Sequence, residues 1–211
     1  MSNKPVLFFV ALVALAACSG QSGGPSSPPA TVAVTPEVTQ APTPVATVKP
    51  AASAASPVTF TSPLYGYTIT LPPDWAVGAA ILRWDGESAP GHEEPTVDKF
   101  GGPPSASAWA NAAPVTVDLD RFVKDNIAWT VRDHGDTCPA TAPEKTEPIK
   151  IGGETGTLLS WDCGILINQA LLVRNGTGYV FVMRDLAVQA ATDPADRALL
   201  ESLLNAVTFP S

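Results

Sequence analysis

Residues 147 to 185 read EPIKIGGETGTLLSWDCGILINQALLVRNGTGYVFVMRD, and this stretch decides the fold. Apolar runs of strand length are separated by Gly152-Gly153 and by Asn175-Gly176-Thr177-Gly178, where glycine and Asn-Gly supply the positive φ angles that tight hairpin turns require. An antiparallel meander of four strands is therefore predicted. Its strands cover residues 147–151, 154–162, 165–174 and 179–185.

An amphipathic helix is predicted ahead of the meander. Its inward positions recur at spacings of three and four residues, which places them on one face of a helix. Asp118 is the predicted N-cap, and Gly135 is the predicted stop. The inward positions are Leu119, Phe122, Val123, Asn126, Ile127, Thr130 and Val131.

A second helix is predicted after the meander, over residues 194–205. Asp193 and Pro194 form the N-cap and first-turn pair that favours a helix start. Residues 207–209 then have the composition of an edge strand. The helix residues predicted to face the core are Leu199, Leu200, Leu203 and Leu204.

The folded part is predicted to open with a hairpin. Residues 58–61 and 67–71 alternate apolar side chains with Thr on either side of a Pro/Gly turn. Residues 79–84 are predicted to form a further strand. Residues 85–113 are predicted to be irregular, with one short helical turn near 106–111.

These elements predict one α+β domain over residues 58–211, with a mainly antiparallel sheet covered by two principal helices. The opening Tyr65-Gly66-Tyr67-Thr-Ile-Thr-Leu-Pro-Pro-Asp-Trp75, the meander and the Val-Thr-Phe ending resemble the PsbP/Mog1-like α/β/α sandwich found in many bacterial lipoproteins. Members of that fold include photosystem-associated, Ran-binding and cell-envelope proteins. The resemblance therefore implies an architecture but no shared activity, cofactor or catalytic residue.

The first 17 residues have the features of a cleavable lipoprotein signal peptide. Lys4 precedes an unbroken apolar run over residues 6–16, which is too short for a membrane-spanning helix. Leu15-Ala16-Ala17-Cys18 resembles the lipobox of bacterial lipoproteins, which implies cleavage before Cys18 and acylation of its thiol and its new amino group. Several acyl chains would hold the protein stably on the extracytoplasmic face of the cell membrane. The alternative is an ordinary secretory signal with a cysteine near its cleavage site.

Residues 18–57 are predicted to be the acylated cysteine and a disordered tether. Residues 19–57 contain eight prolines and only two charged side chains, Glu37 and Lys49. Such a composition has neither a helical nor a strand period. A tether of this length would reach from roughly 40 Å when coiled to about 120 Å when extended.

The charge of the folded part bears on its partners. Residues 58–211 contain ten basic and nineteen acidic side chains, a formal net charge of −9. That balance argues against nucleic acid and against an anionic lipid surface. The predicted partners are the membrane, through the lipid anchor, and either an envelope protein or a small ligand.

Two cysteines lie in the folded part, Cys138 and Cys163. Because exported proteins meet an oxidising environment, the two thiols are predicted to pair as a disulfide. The bridge would close a loop of 25 residues between them, worth about 3.5 kcal/mol in the chain-entropy model. A redox or nucleophilic cysteine is the alternative, but no C-x-x-C spacing or neighbouring histidine motif favours it.

The long region from residue 85 to 113 carries the candidate ligand-binding residues, because functional sites often lie on long ordered loops. Trp84 is also a candidate core residue, together with Trp75, Trp129 and Trp161. The predicted ligand-binding residues are Trp84, Asp85, His92, Asp98 and Trp109.

Five carboxylates within fourteen residues are weak candidates for binding a hard cation such as Ca²⁺, which prefers oxygen ligands. Their spacing matches no known loop motif, and acidic side chains are usual in solvated loops. Neither a metal site nor a cofactor is therefore predicted. The five are Asp85, Glu87, Glu93, Glu94 and Asp98.

The sequence favours a non-enzymatic binding or accessory module of the cell envelope. No G-x-S-x-G elbow, H-E-x-x-H helix, phosphate-binding loop or dinucleotide fingerprint occurs in the folded part. Two alternatives remain open. A hydrolase would require His92 or His134 to meet a serine and a carboxylate, such as Ser160 and Asp162. A calcium-stabilised structural protein would require the acidic loop to bind the cation.

Overall fold

The structure is a computed structural model, and it describes residues 56–102, 106–184 and 194–211. Two antiparallel sheets and two helices make up this part of the chain. The three-stranded sheet has the order β1-β2-β10, and the seven-stranded sheet has the order β3-β4-β5-β9-β8-β7-β6. The elements are β1 Val58–Thr61, β2 Thr68–Leu71, β3 Ala76–Gly78, β4 Asp98–Gly101, β5 Ser107–Pro114, α1 Leu119–His134, β6 Lys145–Ile151, β7 Glu154–Asp162, β8 Leu166–Arg174, β9 Thr177–Arg184, α2 Pro194–Asn205 and β10 Val207–Thr208.

The predicted meander is confirmed as strands β6 to β9, which pair in sequence order. Asn175 and Gly176 have φ angles of 49° and 73°, so they form the two-residue turn expected of an Asn-Gly pair. Strand β9 therefore begins directly after the turn, with Thr177 opposite Arg174. The predicted turn extended to Gly178, so the strand starts two residues earlier than predicted.

Helix α1 has the predicted boundaries. The Asp118 side chain accepts a hydrogen bond from the Arg121 backbone N–H at 2.9 Å, and Gly135 is the C-cap. Phe122 and Asn126 are buried on the sheet side. The Phe122 ring lies so close to Gly178 of β9 that any side chain there would overlap it. That contact brings the helix down onto the large sheet.

Helix α2 and the three-stranded sheet lie on the other face of the large sheet. Leu200, Leu203 and Leu204 are buried as predicted, whereas Leu199 is only partly buried. The Tyr67 ring packs against Phe181 with centroids 5.3 Å apart. The predicted N-cap Asp193 lies outside the described residues.

Strand β10 pairs with β2 and not with the large sheet, and this pairing creates the second sheet. Strands β1 and β2 form the predicted hairpin. The expected antiparallel α+β organisation is therefore confirmed in outline, with strands as the dominant element and two sheets in place of one. In the described ranges, neither helix has the length and hydropathy needed to cross a bilayer.

The predicted strand at residues 79–84 is wrong. The backbone N–H groups of Ile81 and Leu82 both donate to the Pro95 carbonyl, a pattern that a strand ladder does not have. Their side chains are 77 % and 56 % exposed, so their apolar character reflects no core position. The third strand lies just before this stretch, at β3.

The prediction for residues 85–113 is also partly wrong, because this region contains strands β4 and β5. The short helical turn expected near 106–111 does not form, because residues 107–114 form strand β5. The sequence of this strand, SAWANAAP, favours a helix by composition. Seven of its eight residues are buried, and it pairs with β4 and β9 in the middle of the large sheet. Tertiary pairing overrides the local preference of alanine here.

Candidate ligand-binding site

A cavity of about 190 Å³ lies between helix α1 and the large sheet, and we call it the α1 cavity. Its floor is formed by side chains on one face of four neighbouring strands. Cross-strand pairing arranges them in rows, because directly paired residues point to the same face. The rows include Arg184–Ile167–Trp161, Trp109–Val182–Gln169 and Asn111–Val180.

The roof of the α1 cavity is one face of helix α1. Asn126, Thr130 and His134 follow each other at intervals of four residues and all line the cavity. Residues 89–92 close one side, and the disulfide between Cys138 and Cys163 closes another. The predicted disulfide is therefore confirmed, and it also forms part of the wall.

Hydrogen bonds fasten residues 84–92 over the α1 cavity. The Trp109 indole N–H donates to the Pro90 carbonyl at 3.0 Å. The Ala89 backbone N–H donates to Asp133 Oδ2 at 2.9 Å, and Arg132 Nη2 donates to the Glu87 carbonyl at 2.8 Å. The end of α1 and strand β5 thus hold this loop from two sides.

Four buried polar atoms in the cavity lining have no hydrogen-bond partner among the described residues. Asn111, Trp161 and Gln169 are each more than nine-tenths buried. A buried polar atom without a partner costs about 1–3 kcal/mol, so such atoms are rare in folded proteins. Their concentration in one cavity makes the α1 cavity the candidate site for a polar molecule. The atoms are Asn111 Nδ2, Trp161 Nε1, Gln169 Oε1 and Arg184 Nε.

The cavity lining is locally cationic although the domain is acidic. Over the residues that the structure describes, its ionisable side chains are Arg184 and the two histidines, without Asp or Glu. The Arg184 guanidinium lies 6.0 Å from the centroid of the Trp109 ring. At the rim, the hydrogen bond between His92 Nδ1 and Glu93 Oε1, 3.1 Å long, is the main cause that lowers the pKa of Glu93. The Glu93 side chain itself is exposed.

The structure brings together three of the five predicted ligand-binding residues. Trp84, His92 and Trp109 all line the α1 cavity, and the His92 ring meets the Trp109 ring edge-on at 5.7 Å. Asp85 is exposed, and its Oδ1 accepts a hydrogen bond from the Glu87 backbone N–H within the same loop. Asp98 faces away from the cavity, because it pairs with Ala110 on the opposite face of the sheet.

Asp98 instead fastens the residues between β3 and β4 to the core. It is fully buried, and it accepts hydrogen bonds from the Tyr67 hydroxyl at 2.7 Å and from the Ala80 backbone N–H at 2.8 Å. Burial, then the charge of Asp98, raises the pKa of Tyr67 well above its ordinary value. The neighbouring Tyr65 hydroxyl donates to the Thr96 carbonyl at 2.5 Å. These hydrogen bonds hold the residues between β3 and Trp84 in place.

The five acidic candidates do not converge on one point. Asp98 is buried in the core, while Asp85, Glu87, Glu93 and Glu94 are exposed. Over residues 56–102, 106–184 and 194–211, no group of three His, Cys, Asp or Glu side chains is placed to hold a metal ion.

The histidines do meet at one site, since both line the α1 cavity. His134 is in the last turn of α1. In the part of the chain that the structure describes, the hydrogen bond of His92 is to Glu93 and neither histidine is bonded to a serine. Ser160 donates to Asn168 at 2.8 Å on the other face of the sheet.

Four contributors to the α1 cavity were missed by sequence reasoning: Asn111, Trp161, Gln169 and Arg184. One signal was available for Gln169, which is a polar residue at an inward position between Ile167 and Leu171 in a strand of apolar residues. Asn111 gave no such signal, because its strand was not predicted.

The fold and the cavity define a mixed α/β protein with antiparallel sheets and an internal cavity whose mainly apolar lining carries several buried polar atoms. No family model and no curated protein matches the chain. Among solved structures, the chain is similar to cyanobacterial PsbP (CyanoP) from Synechocystis sp. PCC 6803, with 11 % identity and a TM-score of 0.49 over 78 % of this chain and 98 % of that one. It is also similar to a protein from Bacteroides thetaiotaomicron VPI-5482, with 9 % identity and a TM-score of 0.42 over 75 % of this chain and 50 % of that one. Identities this low carry no information about ligands or activity.

Proposed function

We propose that this chain is a lipid-anchored protein of the extracytoplasmic membrane face, built on a PsbP/Mog1-like domain that binds a small organic molecule in the α1 cavity. The observation that carries the binding role is the set of four unpartnered buried polar atoms in one cavity. A well-formed cavity with apolar walls and a few convergent polar groups is the usual form of a ligand site.

The anchoring rests on the N-terminal sequence. Lys4, the apolar run and the lipobox ending at Cys18 stand in the order of a lipoprotein signal. Expression in a bacterial host of the full chain and of Cys18→Ala, followed by membrane fractionation, tests this role. Wild type and a Ser19→Ala control should remain with the membrane, whereas Cys18→Ala should not be retained there. Equal membrane retention of all three proteins would contradict acylation at Cys18.

The binding role is tested with a variant that fills the cavity. Val182 lies in the middle of the cavity floor, and Val182→Phe would place a ring in the space above it. Val77→Phe makes the same chemical change at a residue on edge strand β3 that is 36 % exposed and lies outside the cavity lining. The pair therefore separates loss of the cavity from a general effect of adding an aromatic side chain.

The full chain, purified in detergent from host membranes, is screened by thermal shift against small aromatic acids, amides, amines and alcohols. Molecules released by denaturing the purified protein are identified by mass spectrometry in parallel. At least one saturable ligand should stabilise wild type and Val77→Phe but not Val182→Phe. Identical behaviour of Val182→Phe and wild type in both measurements would overturn the proposal.

A further inference from the structure

Two of the unpartnered atoms restrict the chemistry of a ligand. The amides of Asn111 and Gln169 can rotate to present either an oxygen or a nitrogen. The indole N–H of Trp161 and the guanidinium of Arg184 can only donate. The α1 cavity is thus built around two fixed donors, of which one is permanently charged. A ligand that satisfies both must present acceptors.

The two fixed donors belong to one row of the sheet. Arg184 pairs with Ile167, and Ile167 pairs with Trp161. The Cα atoms of the two outer residues are therefore about 10 Å apart, since neighbouring strands are about 4.8 Å apart. Both side chains are long enough to reach a small group lying above Ile167. Two acceptor oxygens on one carbon match this arrangement.

The charge balance favours an anion. Burying a cation is unfavourable unless an anion pairs with it, and within the described ranges the lining supplies no carboxylate for Arg184. At the exposed rim, the hydrogen bond with His92 and, more weakly, the charge of Arg184 lower the pKa of Glu93, but Glu93 does not line the cavity. Arginine also forms its strongest hydrogen bonds with planar, two-oxygen anions. The domain has a formal charge of −9, yet the described lining contains neither Asp nor Glu, so an anionic ligand would meet less repulsion here than elsewhere on the domain.

The volume and the tryptophan-rich lining of the α1 cavity favour a small, flat ligand. An apolar cavity of about 150 Å³ accommodates benzene in another protein. The 190 Å³ of the α1 cavity therefore leaves room for one ring and a substituent. Trp84, Trp109 and Trp161 supply aromatic surface around that space.

We propose that the α1 cavity binds a small aromatic monocarboxylate, with the carboxylate held between Arg184 and Trp161 and the ring against the tryptophans. This inference rests on the proposed binding role and specifies its ligand class. Benzoate is the simplest molecule of this class. Benzamide has nearly the same shape but lacks the charge and one acceptor.

The test measures dissociation constants of benzoate and benzamide for the full chain by ligand-observed NMR. Wild type should bind benzoate at least tenfold more tightly than benzamide. Arg184→Gln should remove that preference, and Trp161→Phe should weaken benzoate binding about tenfold while retaining the ring. Arg174→Gln is the matched control, because Arg174 pairs with Glu154 on the same sheet and does not line the cavity.

The outcomes separate this inference from the proposed function. Equal binding of benzamide and benzoate would overturn the carboxylate site and leave a small-molecule site in place. The same conclusion follows if neither probe binds while another molecule of the panel binds in a manner sensitive to Val182→Phe. If no molecule binds wild type and none is released from it, both proposals fail together. An unchanged preference in Arg184→Gln would overturn the role of Arg184.

Discussion

Replacing Gln169 with Met should make the protein more stable and a poorer binder. Gln169 is 6 % exposed on the floor of the α1 cavity, and its Oε1 has no hydrogen-bond partner in the described part of the chain. Met keeps the unbranched shape of the side chain and removes the polar atom. An unpartnered buried acceptor costs about 1–3 kcal/mol, so Gln169→Met should raise the free energy of unfolding by about 1 kcal/mol or more. The melting temperature should rise by about 2–4 °C for each kcal/mol.

The neighbouring residue provides a control of opposite sign. Asn168 is equally buried but lies on the other face of β8, where its Oδ1 accepts a hydrogen bond from the Ser160 hydroxyl at 2.8 Å. Asn168→Leu leaves that hydroxyl without its partner and should lower the free energy of unfolding by about 1 kcal/mol. Urea unfolding of both variants should shift the midpoint in opposite directions with the slope unchanged. A destabilised Gln169→Met would refute the view that its amide is maintained for a ligand.

Three further changes test the elements that support the site. Replacing both Cys138 and Cys163 with Ser opens a loop of 25 residues and should lower the free energy of unfolding by about 3.5 kcal/mol. A decrease of less than about 1 kcal/mol, measured by urea unfolding, would contradict this. Tyr67→Phe removes a 2.7 Å hydrogen bond to the buried Asp98 and should lower the free energy of unfolding by about 2 kcal/mol in the same measurement. An unchanged urea midpoint would show that the Asp98 carboxylate does not depend on this hydrogen bond. Hydrogen bonds from Lys145 and then Arg197 lower the pKa of Glu147 below its ordinary value of 4.5. The ionised carboxylate therefore makes its full contribution to the free energy of unfolding above pH 4.5. That contribution is lost as the pH falls through the lower pKa of the folded state. As the pH falls below 4.5, the free energy of unfolding of wild type should therefore decrease by up to about 1 kcal/mol more than that of Glu147→Gln. Equal decreases would show that the ion pairs of Glu147 with Lys145 and Arg197 contribute nothing.

The sequence predicted the elements whose signals are local. The turns at Gly152-Gly153 and Asn175-Gly176 fix the meander, and the Asp118 cap fixes the start of α1. Strand β5 could not be predicted in this way. Its alanines carry no period-two signal, and they are buried because β4 and β9 pair on both sides. Its position depends on pairing with residues about 70 positions later in the chain, which no local window contains.

The candidate site was predictable only from its aromatic residues. Trp84, His92 and Trp109 attracted attention because they lie in or beside a long stretch without regular periodicity. Asp98 attracted attention for its charge, yet it serves the core, because strand pairing turns it to the other face. The candidate binding atoms come from four strands, and each belongs to a residue that looks locally like an ordinary strand residue. Only the register across β5, β9, β8 and β7 shows that they share a face.

The proposed binding role gives a reason why the α1 cavity keeps polar groups that are costly when unpartnered. A single domain is stable by only about 5–15 kcal/mol, so even one unpartnered buried atom takes a noticeable share of that margin. Substitution of Gln169 by an apolar residue would remove one such cost. A ligand that pairs with these atoms stabilises the folded state by mass action, by about 2.7 kcal/mol at a concentration one hundred times its dissociation constant. The melting temperature of wild type should therefore depend on ligand concentration, and that of Val182→Phe should not.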